Sequence, residues 1–340
     1  MNKPTANSGE TGKIAWLSLI QGWAILLVIV GHVNPFTYSG VENEFYPFGE
    51  LIHRFCYSFH MPLFMFVSGG LLHATRISRG FTTRRLYADK FKRLVLPFIF
   101  FTIVALAIKI PLSSFAKRGI ELSVESVAGA FWDPANGPLS ELWFIGTLIW
   151  LMALYPLYVY ISGSIWREAA LLLITAIPPL LGLEADFRGW LNLAALPQYA
   201  FYFVAGMLFF KYHAIRLLES RIWITFLLTA AFFLLFFFLP LQFPLALLGI
   251  LCSFGWGAVA ARRFPKLFGS FRDYSFQIFL IGIFPQMFIE LIIWKHFHAG
   301  WMQVPFYLAS CTAGIYAGCL MGKMAKKIPW GTVRAFFGIK

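Results

Sequence analysis

In the stretch IQGWAILLVIVGHVNPF (residues 20–36), a glutamine, Gln21, and an imidazole, His32, interrupt an otherwise apolar run. Eleven residues make close to three helical turns, so the two side chains share a face about 16 Å apart along the axis. Such groups turn toward a bundle interior or a cavity, because lipid cannot satisfy them. A second imidazole, His60, stands in CYSFHMPLFMFVSGG (56–70), directly before Met61-Pro62. The proline removes a backbone donor and frees a carbonyl for a neighbour to claim. Read as antiparallel spans, the two stretches bring His32 and His60 to a similar outer depth, where two imidazoles can build an acid–base site. The plainer alternatives are local: His32 bonded to a loop carbonyl, His60 satisfying the broken turn.

Two further groups could carry chemistry. The loop RISRGFTTRRLYADKFKRLVLPF (76–98) holds seven basic residues beside apolar runs, among them Arg84, Arg85, Lys90 and Arg93. Such charge orients a membrane protein or attracts anionic lipid, but arginine forks also suit phosphate oxygens, so a phosphate-rich cytosolic ligand is the sharper expectation. In GPLSELWFIGTLI (137–149), Glu141 and Trp143 fall at the outer membrane boundary, where tryptophan anchors and a carboxylate is either a rim charge or part of a site.

The elements that must position these residues are transmembrane helices. Of the 340 residues 59% are hydrophobic, 19% aromatic and only 13% charged, which is no soluble composition. The net charge of +13 sits between apolar stretches, so a nucleic-acid partner is discounted. The expected spans are 14–33, 55–74, 94–110, 141–161, 168–183, 196–210, 222–239, 244–261, 274–294 and 303–322. With both termini cytoplasmic, most of the 28 Lys and Arg fall on the inner side. Arg54, Lys109, Lys117, Arg118, Arg188 and Lys295 are left outside, as the positive-inside rule requires. The expectation is an all-α, polytopic transmembrane bundle of about ten spans: a cytoplasmic tail 1–13, a membrane domain 14–322 and a basic cytoplasmic tail 323–340. No remaining segment is long enough for a soluble catalytic domain, so any chemistry lies inside the bundle. Cys56, Cys252, Cys311 and Cys319 lack metal or redox spacing, and no metal-ligand or nucleotide motif occurs. One internal echo, F-x-F-V-[SA]-G-x-L, appears at 64–71 and 201–208 and is read as small residues allowing close helix packing.

In order along the chain, the run from Trp16 through GWAILLVIVGH to His32, SFHMPLFMFVSGGLL (58–72), KFKRLVLPF (90–98), ELWFIGTLI (141–149) and DYSFQIFLIG (273–282) resemble five motifs of the acyltransferase 3 family of integral membrane O-acyltransferases. The resemblance is nearest to its fucose 4-O-acetylase-like branch and covers most of the chain. It implies transfer of an acyl group, usually acetyl from cytosolic acetyl-CoA, to a hydroxyl of a glycan or lipid-linked saccharide at the outer face of the plasma (bacterial inner) membrane. Acyl-CoA would be a co-substrate rather than a tightly bound cofactor, and no metal is implied. His32 matches the family's catalytic histidine. Lys90 and Arg93 match its R-x-x-R pair, with lysine in the first place. The chain departs from the pattern at Gln21, where the family carries a cation, at Ser18, where it carries an acid, and at Gly282, where it carries a histidine.

On this reading His32 is a general base on a sugar hydroxyl, and Lys90 and Arg93, helped by Arg84 and Arg85, hold the CoA head. His60 orients the acceptor or shapes an oxyanion site, and Gln21, Ser68, Glu141 and Trp143 are further site candidates. Direct transfer and a transient acyl-histidine fit equally well. The competing classes are a transporter or flippase of a lipid-linked or polar small molecule, and an inactive relative in a polysaccharide-export assembly.

Overall fold

A computed structural model describes residues 8–33, 46–113, 120–183, 189–239, 241–290, 293 and 300–339. Every one of the ten apolar stretches is helical, as one helix or as a broken pair, and no strand occurs among the described residues. In chain order the helices that matter here are α1 (Ser8–His32), α2 (Tyr46–Leu72), α3 (Thr83–Lys90), α4 (Leu96–Lys109), α5 (Val124–Trp132), α6 (Trp143–Ala153), α7 (Tyr155–Ile161), α8 (Ile165–Leu180), α9 (Leu196–Lys211), α10 (Ile215–Ser220), α11 (Ile222–Phe238), α12 (Gln242–Arg263), α13 (Ser275–Ile281), α14 (Ile283–Ile289), α15 (Gln303–Lys326) and α16 (Gly331–Phe336). Five continuous helices are long and apolar enough to cross a membrane: Phe48–Ile77, Thr83–Lys109, Trp190–Lys211, Gln242–Arg263 and Gln303–Lys326. The pair α6 and α7, bent by 50°, makes a sixth, while Trp16–His32 and Ile222–Phe238 are shorter apolar helices. Residues 291, 292 and 294 of the ninth stretch, and the charges Lys3, Lys117, Arg118, Arg188, Lys295 and Lys340, lie outside the described residues.

Besides the bend between α6 and α7 in the fourth stretch, expected as one span, two stretches differ from the sequence reading. The basic segment 76–98, expected as a loop, is helical except around residues 78–82. Its Arg, Lys, Leu and Ala favour helix, and the Thr82 side chain caps α3 by accepting from the Arg85 backbone N–H. Helix α3 lies between two π-turns, His73–Ile77 and Phe91–Val95. The ninth stretch, expected as one span, breaks at Gly282 into α13 and α14.

The frame of the bundle is the crossing of α2 and α9, the most extensive helix pairing among the described residues. It is made by the internal echo. A Cβ on Gly69 would lie 1.9 Å from the Phe203 carbonyl oxygen, and a Cβ on Gly206 would lie 1.9 Å from that of Phe66. In the repeated motif Gly69 corresponds to Gly206 and Phe66 to Phe203, so the crossing has a local two-fold relation between two parallel helices. Only glycine permits such backbone approach. Around it α1 packs on α2 and α12, α8 on α9, and α13 and α14 on α15. Tyr155, Tyr158, Tyr202, Phe101, Phe203 and Phe254 are the largest fully buried side chains. Phe226, Leu227, Phe233, Leu234, Phe237 and Phe238 of α11 are exposed, an apolar surface that suits lipid rather than water.

The turn that launches α9 is strained and pinned. Trp190, Leu191 and Asn192 all have positive φ, a left-handed run that side-chain-bearing residues rarely adopt. It is held against α6. The Trp150 indole N–H donates to the Trp190 carbonyl at 2.8 Å. Gly146 lets the Leu191 carbonyl approach to where a Cβ would be 2.6 Å away.

Candidate active site

Four of the expected residues converge. His32 Nδ1 lies 2.8 Å from the Val28 carbonyl oxygen, one turn back along α1. A carbonyl can only accept, so Nδ1 carries the proton and the neutral ring presents its lone pair at Nε2. That Nε2 lies 3.8 Å from Oε1 of Glu141. The two side chains are only 18% and 16% exposed, so water screens the pair weakly. His60, on α2, is buried; its Nδ1 lies 2.7 Å from the Cys56 carbonyl, which fixes the same tautomer. Its ring is perpendicular to that of His32, with centroids 6.3 Å apart.

A cavity of about 270 Å³ opens where these groups meet. His32, His60, Glu141 and Trp143 line it, joined by Tyr57, Gln198, Tyr199, Tyr202 and Gln242. The α2 and α9 residues of this lining all precede Gly69 and Gly206, so the cavity lies between the two helices on one side of their crossing. Tyr57 packs against both imidazoles, 5.8 Å from His32 and 4.7 Å from His60 between ring centroids. It stacks at 4.0 Å on His53, whose Nδ1 lies 3.1 Å from the Gly31 carbonyl.

The carbonyl freed by Pro62 is that of Ser58, four residues earlier. It is claimed not by His60 but by Gln242, whose Nε2 donates to it at 3.3 Å. The broken turn therefore does not account for His60. Tyr57, Gln198, Gln242, Tyr199 and Tyr202 were not marked by the sequence: each is an ordinary amphipathic residue of an apolar helix, and their convergence depends on which helices meet. Tyr57 alone carried a signal, three residues before His60 and hence on its face.

The remaining expected residues stand elsewhere. Ser68 is half-buried at the α2–α9 crossing and Gln21 lies about 16 Å down α1 from His32; neither lines the cavity. Ser18 Oγ donates to Asp273 Oδ1 at 3.3 Å, so a carboxylate from the DYSF segment stands where the family pattern has its own acid. A side chain at Gly282 would meet Ile29 Cδ1 at 2.6 Å and the Gly314 oxygen at 3.1 Å, so helix packing fills the space of the family's histidine. One turn on, buried Gln286 donates to the Ile29 carbonyl at 3.0 Å.

The basic residues form a separate group at the other end of α2. Arg76 Nη2 donates to Asp89 Oδ2 at 2.8 Å, and Arg93 Nε lies 3.3 Å from Asp89 Oδ1. One arginine comes from each π-turn, with the carboxylate between them. Lys90 is half-buried within electrostatic range of all three. Three cations around one carboxylate leave net positive charge, and the Nε of Arg76 is buried without a hydrogen-bond partner among the described residues. Arg84 and Arg85 are exposed, Arg85 lying over the Phe81 ring at 4.1 Å. The Tyr155 hydroxyl donates to the Phe81 carbonyl and the Tyr87 hydroxyl to the Ala153 carbonyl, each at 2.7 Å. These two bonds tie the basic segment to the bend between α6 and α7. No group of three or more His, Cys, Asp or Glu side chains suited to a metal occurs among the described residues.

With this geometry in place, comparison with known proteins decides the family. The model of the acyltransferase 3 family, described as an acyltransferase domain, matches residues 14–322. The chain belongs to the acyltransferase 3 family. Curated relatives include Nodulation protein NolL of Sinorhizobium fredii, 24% identical over 213 residues, which cover 62% of this chain and 52% of that protein. Nodulation protein NolL of Mesorhizobium japonicum is 29% identical over 131 residues, covering 37% of this chain and 33% of the relative. The chain thus matches about half the length of the first relative and a third of the second. No solved structure matches this acyltransferase 3 chain significantly.

Proposed function

We propose that this acyltransferase 3 member is an O-acyltransferase of the bacterial inner membrane, with ten crossings and both termini cytoplasmic. It moves an acyl group, acetyl in the simplest case, from cytosolic acyl-CoA to a hydroxyl of an envelope or exported glycan. The observation that carries the reading is the His32 ring: its Nδ1 is held by a carbonyl, and its Nε2 faces both a cavity and a carboxylate.

In the proposed reaction, an acceptor hydroxyl enters the cavity and hydrogen-bonds to His32 Nε2. As the oxygen attacks the thioester carbonyl, its proton passes to Nε2. Glu141, beside the same nitrogen, stabilises the imidazolium that forms by its charge, while the orienting role that a carboxylate plays at the other ring nitrogen in a catalytic triad falls here to the Val28 carbonyl. When the carbon–sulfur bond breaks, the imidazolium returns the proton to the departing thiolate, and ester and free CoA result. A positioned base of this kind contributes about 10²–10⁴ in rate. His60 flanks the same space and is assigned to positioning the acceptor.

Lys90, Arg93 and Arg76 would hold the CoA phosphates. Three cations sharing one carboxylate, with the Arg76 Nε unmet, are suited to an anion with several oxygens. Arg84 and Arg85, being exposed, would add attraction at a distance.

The test is label transfer from radiolabelled acetyl-CoA to extracted envelope glycan by the full chain in lipid nanodiscs. Wild type should transfer label and His32→Ala should lose it by at least about 100-fold. Transfer unaffected by His32→Ala would overturn the assignment.

A further inference from the structure

Gln198 lines the cavity from the residue directly after Pro197 at the start of α9. Its Oε1 is buried and has no hydrogen-bond partner among the described residues. A buried amide oxygen left without a donor is unfavourable, and native structures supply one from protein, water or ligand. Neither imidazole can serve as they stand, because each ring N–H already faces its own backbone carbonyl. The Gln242 amide nitrogen donates to the Ser58 carbonyl.

The walls of the same space are flat and aromatic. Trp143 and Tyr199 approach with centroids 5.1 Å apart and planes inclined by 40°. Tyr57 and Tyr202 complete the lining. Aromatic faces carry negative quadrupole charge and suit the weakly positive C–H faces of a saturated ring. At about 270 Å³ the cavity falls just under the usual range of small-molecule sites, about 300–1,000 Å³. It has room for one sugar ring of an acceptor.

We propose that Gln198 is a specificity-determining residue whose Oε1 accepts a hydrogen bond from a second hydroxyl of the acceptor, so that the site takes a single polyhydroxylated sugar ring rather than a monohydric alcohol. The inference rests on the reading of this cavity as the acceptor site of acyl transfer. It adds a second anchoring point to the first: the reacting hydroxyl meets His32 Nε2, another hydroxyl of the same ring meets Gln198, and the ring face lies on tyrosine or tryptophan. A site built to bind a hydroxyl discriminates strongly against an analogue lacking it, because the buried protein group is then left unpaired.

The test is a cycle of protein and acceptor changes. The full chain in nanodiscs receives acetyl-CoA and either methyl glycosides of glucose, galactose and fucose, their monodeoxy analogues, or cyclohexanol. Gln198→Met keeps the length of the side chain and removes its polar atoms. On the best glycoside its kcat/KM should fall roughly 5- to 150-fold, and the loss on cyclohexanol should be several-fold smaller. One monodeoxy analogue should show a similar loss with wild type and no further loss with Gln198→Met. Equal losses on glycoside and cyclohexanol, or independent losses from the deoxy analogue and the substitution, would overturn the proposal. Binding of the same glycosides, followed by tryptophan fluorescence, repeats the cycle without turnover. There, no binding by wild type, or equal affinities of wild type and Gln198→Met, also overturns it. Transfer that survives His32→Ala while the binding cycle holds would refute the acyl-transfer reading and leave the sugar site standing.

Discussion

His32 and Glu141 meet tip to tip: an imidazole at the last residue of α1 and a carboxylate just ahead of α6 lie 3.8 Å apart, Nε2 to Oε1. Because the other ring nitrogen is held by Val28, the carboxylate faces the atom that would gain a proton during the reaction. Glu141 is therefore expected to matter when the ring is charged and little when it is neutral. Glu141→Gln keeps the shape and removes the charge. Its kcat should fall on the order of 10- to 10³-fold, given about 4 kcal/mol between unit charges at 4 Å in a partly screened site. The KM for acceptor should change little, and steady-state kinetics in nanodiscs separates the two.

The Gln242 bond to the Ser58 carbonyl has a specific expected consequence. Gln242→Leu leaves that carbonyl buried and unpaired, at about 1–3 kcal/mol of stability. Pro62→Ala restores a backbone N–H to the turn, so the double variant should recover most of the loss. Thermal unfolding of the four proteins in one detergent reads the coupling. Additive losses would show that Gln242 stabilises by another route.

At the α2–α9 crossing, Gly69→Ala and Gly206→Ala each force a methyl group toward a carbonyl oxygen. Each should cost about 3 kcal/mol or more by overpacking and lower the yield of folded protein. Gly129, in α5, has nothing within 4 Å of the corresponding position. Gly129→Ala should be neutral or stabilise by up to about 1 kcal/mol. The contrast in unfolding midpoint checks that the crossing, not helix propensity, is responsible.

The basic group divides by burial. Arg76→Ala or Arg93→Ala removes a partly buried guanidinium from the Asp89 centre and should raise the KM for acetyl-CoA about tenfold or more, as for a charge-assisted hydrogen bond. Arg84→Ala and Arg85→Ala, at exposed positions, should raise it only a few-fold, and that increment should vanish in high salt. Kinetics at two ionic strengths distinguishes the two classes.

How far the sequence reached is clearest along single helices. The apolar stretches, the depth of His32 and His60, and the close packing of the F-x-F-V-[SA]-G-x-L echo follow from hydropathy and spacing within one segment, and each has its counterpart in the structure. Spacing gives depth, but it does not say which faces of distant helices meet. Gln198 and Gln242 enter the cavity because α9 and α12 pack beside α2. The carbonyl bond that was an open reading for His60 went to Gln242 instead. The basic segment reads as a loop because its charge is conspicuous, whereas its helix-forming composition and the Thr82 cap make it helical. Gly282 read as a missing histidine, whereas the close approach of Ile29 and Gly314 shows why no side chain stands there.

Helix α2 and its π-turn carry His60 near the middle and Arg76 at the far end. Sixteen residues at the helical rise set the two roughly 24 Å apart, most of the thickness of a bilayer's hydrocarbon core. Neither group can slide toward the other on a hydrogen-bonded rod. An acyl donor anchored by the arginines must therefore bring its own slack: a long, slender tether between its charged head and its reactive carbon. A compact donor such as an acyl phosphate could occupy either end, but it could not bridge them.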